Sequence, residues 1–237
     1  MRQRKKMYKH FFKRVIDIII SFFGIVCLLL PMAVIAIVIK CDSKGPVIFK
    51  QVRTGRKRKP ITVLKFRTMC DHAYEKGGIA TSEKDTRITK AGKILRRTSL
   101  DEIPQLFNIF IGQMSVIGPR PILDWEFTEN DTDPEYVKRF DVRPGLFCTV
   151  DVKHRNADRD LQFKMDAEYA KKVSFALDIK TFFGVIKTVV KGENVYRDEK
   201  PVEEAEADNP ETEVASSAIT GSDVGKNENN GEKENYV

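Results

Sequence analysis

Two adjacent carboxylates, Asp101 and Glu102, head the segment SLDEIPQLFNIFIGQMSVIGPRP, residues 99–121. Ser99 and Glu102 have the spacing of a capping box. Pro104 is acceptable only in the first turn of a helix, where amide hydrogens are unpaired, so the helix is expected to start at Leu100 or Asp101. Asp101 would then lie near the positive end of the helix dipole, which favours its ionised form. An ionised carboxylate there can ligate a hard cation such as Mg²⁺. It can also attack a phosphoryl group, provided that nearby cations neutralise the charge that repels it. Arg96, Arg97, Arg120 and Arg143 are the cations in reach by sequence. Arg120 stands between Pro119 and Pro121, and Arg143 precedes Pro144-Gly145, so both sit on restricted turns. Two acids at a helix start are more often caps than catalysts, and residue types and spacing leave both readings open.

The elements that must position these groups begin with an apolar run, Ile18 to Ile39, of 22 residues without a charge. That is long enough to cross a bilayer. Pro31 lies past its middle and is expected to kink or break the helix. Both flanks are basic, and positive flanks favour the cytoplasmic side. A helix that enters, bends at Pro31 and returns satisfies both flanks, and a kinked span remains the alternative. Arg14 and Asp17, three residues apart, are expected to pair across one helical turn.

Residues 45–69, GPVIFKQVRTGRKRKPITVLKFRTM, read as two strands around a basic turn. Lys65 and Arg67 share a face by the two-residue period, as do Gln51 and Arg53. These charges form either a solvated edge or a phosphate-facing sheet. Residues 71–78 and 90–97 read as short helices with a loop between them, and Ala91, Ile94 and Leu95 supply the apolar side of the second. Residues 176–192 have apolar side chains at largely helical spacing, suited to a bilayer surface or to a core.

Charge separates along the chain. The net charge is +7, yet residues 198–237 carry twelve acids against three lysines, which leaves +16 for residues 1–197. A basic body implies an anionic partner such as anionic membrane lipids or a phosphorylated substrate. Nucleic acid fits poorly, because the basic region lacks clustered aromatics for stacking. The acidic tail has too few large apolar groups to fold and is expected to be disordered. Cys27, Cys41, Cys70 and Cys148 are scattered, without zinc spacing. Neither a P-loop nor a dinucleotide fingerprint is present.

These pieces, taken in order, resemble the bacterial sugar transferases, the monotopic phosphoglycosyl transferases that act on polyprenol phosphate. The matching segments are KRVIDIIIS (13–21), SKGPVIFKQVRTG (43–55), KFRTM (65–69), residues 99–121, VRPG (142–145) and MDAEYAKKVSFALDIK (165–180). The family's helix break is a Ser-Pro or similar pair, matched here only at the proline of Leu30-Pro31.

The resemblance implies an α+β fold: a re-entrant N-terminal membrane helix, then a small, mostly helical cytoplasmic domain with a β-hairpin and interfacial amphipathic helices. The domains would be residues 1–40, 41–197 and an acidic tail, 198–237. The resemblance further implies a Mg²⁺-dependent ping-pong reaction at the cytoplasmic face of the plasma membrane. Asp101 would attack the β-phosphate of a UDP-sugar beside the metal, UMP would leave, and polyprenol phosphate would then take the phosphosugar. Glu102 would assist, and Lys65, Arg67, Arg96, Arg120 and Arg143 would hold phosphates. Arg14, Asp17 and Pro31 belong to the membrane helix. The competing reading is a non-enzymatic, membrane-anchored basic adaptor. The sequence leaves the oligomeric state open.

Overall fold

A computed structural model describes residues 7–73, 85–123, 126, 133–153 and 157–191. The described residues all fall in one compact unit, within Met1–Asp198. The expected disordered tail, and most of the expected helix at residues 71–78, lie outside the described residues.

The apolar run lies within a single 30-residue helix, α1 (Lys13–Asp42), preceded by a wide helical turn at Tyr8–Phe12. The helical backbone continues through Pro31, so of the expected kink or break the break does not occur. One lost amide bond and a ring clash cost about 3 kcal/mol. Docking offsets that cost. Asp17, Ser21, Gly24, Leu28, Met32, Ile35 and Ile39 recur every three or four residues and face the rest of the protein. Met32 and Ile39 are buried against Phe66 and Leu95, and each such side chain contributes about 1.5–3 kcal/mol.

The polar end of this stripe is satisfied by distant residues. Asp17 accepts from Ser115 Oγ at 3.0 Å and from the Val116 amide at 2.9 Å. Arg14 donates to the Ile109 and Phe110 carbonyls at 2.6 and 2.8 Å. The expected Arg14–Asp17 pair is therefore absent, because each side chain is held by a different part of the protein. Lys13 Nζ reaches Asp178 Oδ2 at 2.6 Å, and the same carboxylate accepts from Tyr8 and Tyr169. At the far end, Asp42 Oδ2 accepts from the Ala91 amide at 2.9 Å. Both ends and the middle of α1 thus dock on one unit, while its outward faces leave Phe23, Leu30 and Ile37 more than half exposed.

Strands β1 (Ile48–Thr54) and β2 (Pro60–Phe66) form the expected antiparallel hairpin. Next come α2 (Lys90–Thr98), a single 3₁₀ turn at Leu100–Glu102 and α3 (Gln105–Ile111). Ala91 and Leu95 of α2 are buried as expected, but Ile94 is exposed. Strand β3 (Ser115–Ile117) pairs in parallel with β4 (Gly145–Phe147). Gly118, which follows β3, meets Gly145, the first residue of β4, and a Cβ on Gly145 would overlap the Gly118 backbone. The glycines of IGPRP and VRPG are thus required by one close approach.

Helices α4 (Pro134–Val137), α5 (Thr149–Lys153), α6 (Arg159–Lys172) and α7 (Phe175–Lys191) complete the unit. The main core joins Val63 of β2, Ile109 of α3, Val116 of β3 and Tyr169 of α6. Of residues 176–192, Val185 of α7 is buried against the core, while Phe183 is exposed. The observed fold is the α+β arrangement of a long apolar helix and a small, mainly helical domain with a β-hairpin.

One buried ion pair supports the turn that carries Arg120. Arg139 Nη2 donates to Asp166 Oδ2 at 2.6 Å and to the Arg120 carbonyl at 2.8 Å. Its guanidinium lies 4.3 Å from the Phe163 ring centroid. Removing one partner of such a pair strands the other charge in the core. Asp166→Ala should therefore destabilise the protein by about 3–5 kcal/mol, read as a lowered unfolding midpoint in detergent.

Candidate active site

The stretch KFRTM directs successive side chains to different elements. Lys65 Nζ donates to Glu102 Oε1 at 2.7 Å. Phe66 enters the cluster that holds Ile39 and Leu95. Arg67 is buried and donates to the carbonyls of Ser43, at 2.8 Å, and of Lys44. Thr68 Oγ1 accepts from Arg96 Nε at 2.9 Å. Arg67 lies past the end of β2 and does not stay on the face of Lys65; it ties the loop after α1 to the hairpin.

Asn108 fixes β2 against α3. Its Oδ1 accepts from the Leu64 amide at 3.0 Å, and its Nδ2 donates to the Thr62 carbonyl at 2.7 Å. Lys65 follows Leu64 directly, so this side-chain bridge sets Lys65 beside the turn that precedes α3. Ser99 of that turn takes a left-handed conformation, φ 56°, because it ends α2 as well as starting the 3₁₀ turn. It makes no side-chain cap bond, and Glu102 is engaged by Lys65, so the expected capping box is not formed. The helix that carries the carboxylates is a single 3₁₀ turn, with α3 starting only after Pro104.

Asp101 is half-buried on this turn. Burial raises its carboxyl to a pKa of about 6; Lys65 and Arg96 pull it down, and Glu102 pushes it up. The dipole was expected to favour the ionised form, but desolvation outweighs that benefit on so short a turn.

Arg120 joins this group through the Pro119-Arg120-Pro121 turn. That turn is fixed by Arg139 at the Arg120 carbonyl, by Arg53 Nη1 at the Pro121 carbonyl (3.2 Å) and by the Thr54 amide at the Ile122 carbonyl (2.8 Å). The exposed Arg120 guanidinium donates to Asp151 Oδ1 at 3.1 Å and lies within the electrostatic reach of Glu102. Arg53 is held on its own strand by Gln51 Oε1, at 2.6 and 3.0 Å, and also acts on Glu102 and Arg120 electrostatically.

The arrangement is thus two carboxylates faced by Lys65, Arg96, Arg120 and Arg53. Sequence reasoning placed Arg53 on a face with Gln51 but not in the site. It missed Asp151 and Arg139, which carry no local pattern. Arg143 is not brought to this group. Its Nε donates to the Gly112 carbonyl at 2.8 Å, beyond the C-terminal end of α3, while the carboxylates precede the N-terminal end.

Among the described residues no group of three or more His, Cys, Asp or Glu could hold a metal ion. Two adjacent carboxylates faced by cations still suit Mg²⁺, which commonly takes one or two protein carboxylates and completes its shell with water and substrate phosphates.

The family model for bacterial sugar transferases matches residues 8–192. A UDP-glucose:undecaprenyl-phosphate glucose-1-phosphate transferase of Klebsiella pneumoniae is 40% identical over 188 residues, which is 76% of this chain and 40% of that protein. A UDP-N-acetylgalactosamine-undecaprenyl-phosphate N-acetylgalactosaminephosphotransferase of Aeromonas hydrophila is 35% identical over 187 residues, 77% of this chain and 44% of that protein. This chain therefore spans less than half the length of those two relatives. The exopolysaccharide production protein PSS of Rhizobium leguminosarum bv. phaseoli is 36% identical over 185 residues, 73% of this chain and 92% of that protein. With a family match from residue 8 to residue 192, this chain belongs to the bacterial sugar transferases.

Proposed function

We propose that this protein transfers a sugar-1-phosphate from a UDP-sugar to a membrane polyprenol phosphate at the cytoplasmic face of the bacterial plasma membrane. The observation that carries the reading is the half-buried Asp101 beside Glu102, under the charges of Lys65 and Arg96, with Arg120 in electrostatic reach of Glu102. Capping does not account for it, since neither carboxylate caps α3. The relatives named for glucose-1-phosphate and for N-acetylgalactosamine phosphate share undecaprenyl phosphate as the named lipid. That shared lipid is what we carry to this chain.

In this mechanism the Asp101 carboxylate attacks the β-phosphorus of the donor. The bond from that phosphorus to the oxygen bridging to the α-phosphate breaks, and UMP leaves with the bond's electron pair. A phosphate oxygen of polyprenol phosphate then attacks the same phosphorus and frees the carboxylate. Lys65, Arg96 and Arg120 hold the phosphate charge that would repel an anionic nucleophile. Glu102, anchored by Lys65, would share Mg²⁺ with Asp101. The ion, when bound, neutralises donor phosphate charge.

The membrane placement rests on how α1 is docked. At 1.5 Å per residue it is about 45 Å long, against about 30 Å of bilayer hydrocarbon. A perpendicular span would draw the attached domain through the lipid, because α1 is bound along its length. Support for the monotopic reading comes from this docking and from the exposed apolar faces of α1 and α7. Such a placement brings Asp101 near the depth of a lipid phosphate.

Asp101→Asn should abolish both UMP release and labelling of the protein by radiolabelled donor, a loss on the order of 10⁴-fold or more. Full turnover in that variant, or label mapped consistently to another side chain, would overturn the assignment. Without added acceptor, labelling should rise with pH around a midpoint of about 6, since the protonated acid below it cannot attack. Lys65→Met should move that midpoint upward, because Lys65 lowers the Asp101 pKa. Chelation should stop UMP release, and added Mg²⁺ should restore it. Single cysteines at Met7 and Lys44 should react with an impermeant reagent from the same side of sealed vesicles. Reaction from opposite sides would mean a span.

A further inference from the structure

A second basic site lies away from the carboxylates. A cleft of about 450 Å³, open to solvent, is formed by the turn before α1, the first turns of α1, the hairpin turn and the approach to β4. Five cations line it, Lys9, Lys13, Arg14, Arg56 and Arg143, against the two carboxylates Asp17 and Asp141.

Most of this positive charge is left uncompensated. Lys13 is paired with Asp178. Asp17 is occupied by Ser115 and the Val116 amide. By contrast, Lys9, Arg14 and Arg143 are held by neutral backbone carbonyls, those of Ala170, of Ile109 and Phe110, and of Gly112. Carbonyls orient a cation without cancelling its charge. Arg143 binds Gly112 through Nε alone, and among the described residues its two terminal nitrogens have no partner. Arg56 Nε is buried and likewise unpartnered. A buried guanidinium nitrogen without an acceptor is costly, which argues for an acceptor supplied from outside.

The electrostatics agree with the geometry. Burial, then Arg14 and Arg56, hold the Arg143 guanidinium below its usual range. Burial also lowers the Lys9 ammonium; Asp141 pulls it up, and Arg56 pushes it down again.

Position separates this cleft from the proposed active site and joins it to lipid. Arg14 and Arg143 hold carbonyls at the C-terminal end of α3, about 10 Å along that helix from the end near Asp101. Around Arg14 lie the exposed apolar side chains Phe11, Val15, Phe110 and Ile111. An anion carried on apolar chains matches a charged cleft rimmed in this way. A planar guanidinium fork with both terminal nitrogens open suits phosphate oxygens.

We propose that this cleft binds the phosphate of a membrane lipid, at a site distinct from Asp101. The inference rests on the membrane-docked reading given above, but it requires no donor sugar and no turnover.

The test uses the full chain in neutral detergent and native mass spectrometry, with phosphatidylglycerol, a polyprenyl monophosphate and inorganic phosphate as separate probes. One bound lipid is expected for the unsubstituted protein, with retention weakened about tenfold by Arg56→Gln and by Arg143→Gln. Arg56 lies on a surface turn, so its variant keeps the test valid if loss of the Gly112 contact unfolds the other. Weakening confined to phosphatidylglycerol assigns the cleft to resident phospholipid; weakening confined to the polyprenyl phosphate assigns it to the acceptor lipid. Both outcomes support the proposal. Unchanged retention of both lipids in Arg56→Gln would overturn it. So would equal weakening by Lys93→Gln, on the exposed side of α2, or equal displacement by inorganic phosphate. Labelling of Asp101 by the donor is scored separately, so failure of the cleft and failure of the transferase reading are distinguishable.

Discussion

Asp17 accepts two hydrogen bonds from β3 at the base of a helix whose outward faces are almost wholly apolar. An acid buried without such donors would be costly. Here the donors come from residues about a hundred positions later in the chain, so the helix cannot adopt an arbitrary orientation toward the domain. The clamp of Tyr8, Lys13 and Tyr169 on Asp178 adds a second fixed point, and Asp42 on α2 a third. Three polar anchors along one helix convert a hydrophobic segment into part of the domain's framework. The heights of the carboxylate turn and of the basic cleft relative to the apolar surface follow from that framework.

Within it, polar contacts set the chemistry-bearing side chains more finely than the core does. Asn108 joins strand to helix and thereby places Lys65 beside Glu102. Arg139 and Arg53 bind consecutive carbonyls of the proline-flanked turn, and this aims Arg120. Cations in this protein therefore serve two purposes. Arg67 and Arg14 spend their donors on backbone and Arg139 divides its own between Asp166 and backbone, whereas Lys65, Arg96 and Arg120 face the acids. Arg143 and Arg56 keep nitrogens open in the second cleft.

Much of this was legible from residue order. The hairpin was marked by its basic turn and β-prone runs, α7 by its spacing, and the Asp-Glu pair by its place before Pro104. That Gln51 and Arg53 share a face followed from the strand period alone, and the structure adds the hydrogen bond between them. Destinations of long side chains were not legible. Period-two reasoning put Arg67 on the face of Lys65, but the strand ends between them. Arg14 and Asp17 had ideal spacing for each other, yet partners of high sequence separation offered stronger bonds. The Ser99–Glu102 box failed because Ser99 must also close α2, a conflict visible only once both helices are placed. Pro31 marked a break that tertiary docking overrode.

The clamp on Asp178 also sets an order of assembly. The apolar helix is synthesised before its anchors and so at first carries Lys13 and Asp17 without their partners. Ser115 and Val116 emerge about a hundred residues later, and Asp178 about 165 after Lys13. Until translation reaches that point the helix has no domain to hold it at a fixed tilt. Its final pose against the domain is therefore a late event of biosynthesis, written by the end of the domain rather than by the helix itself.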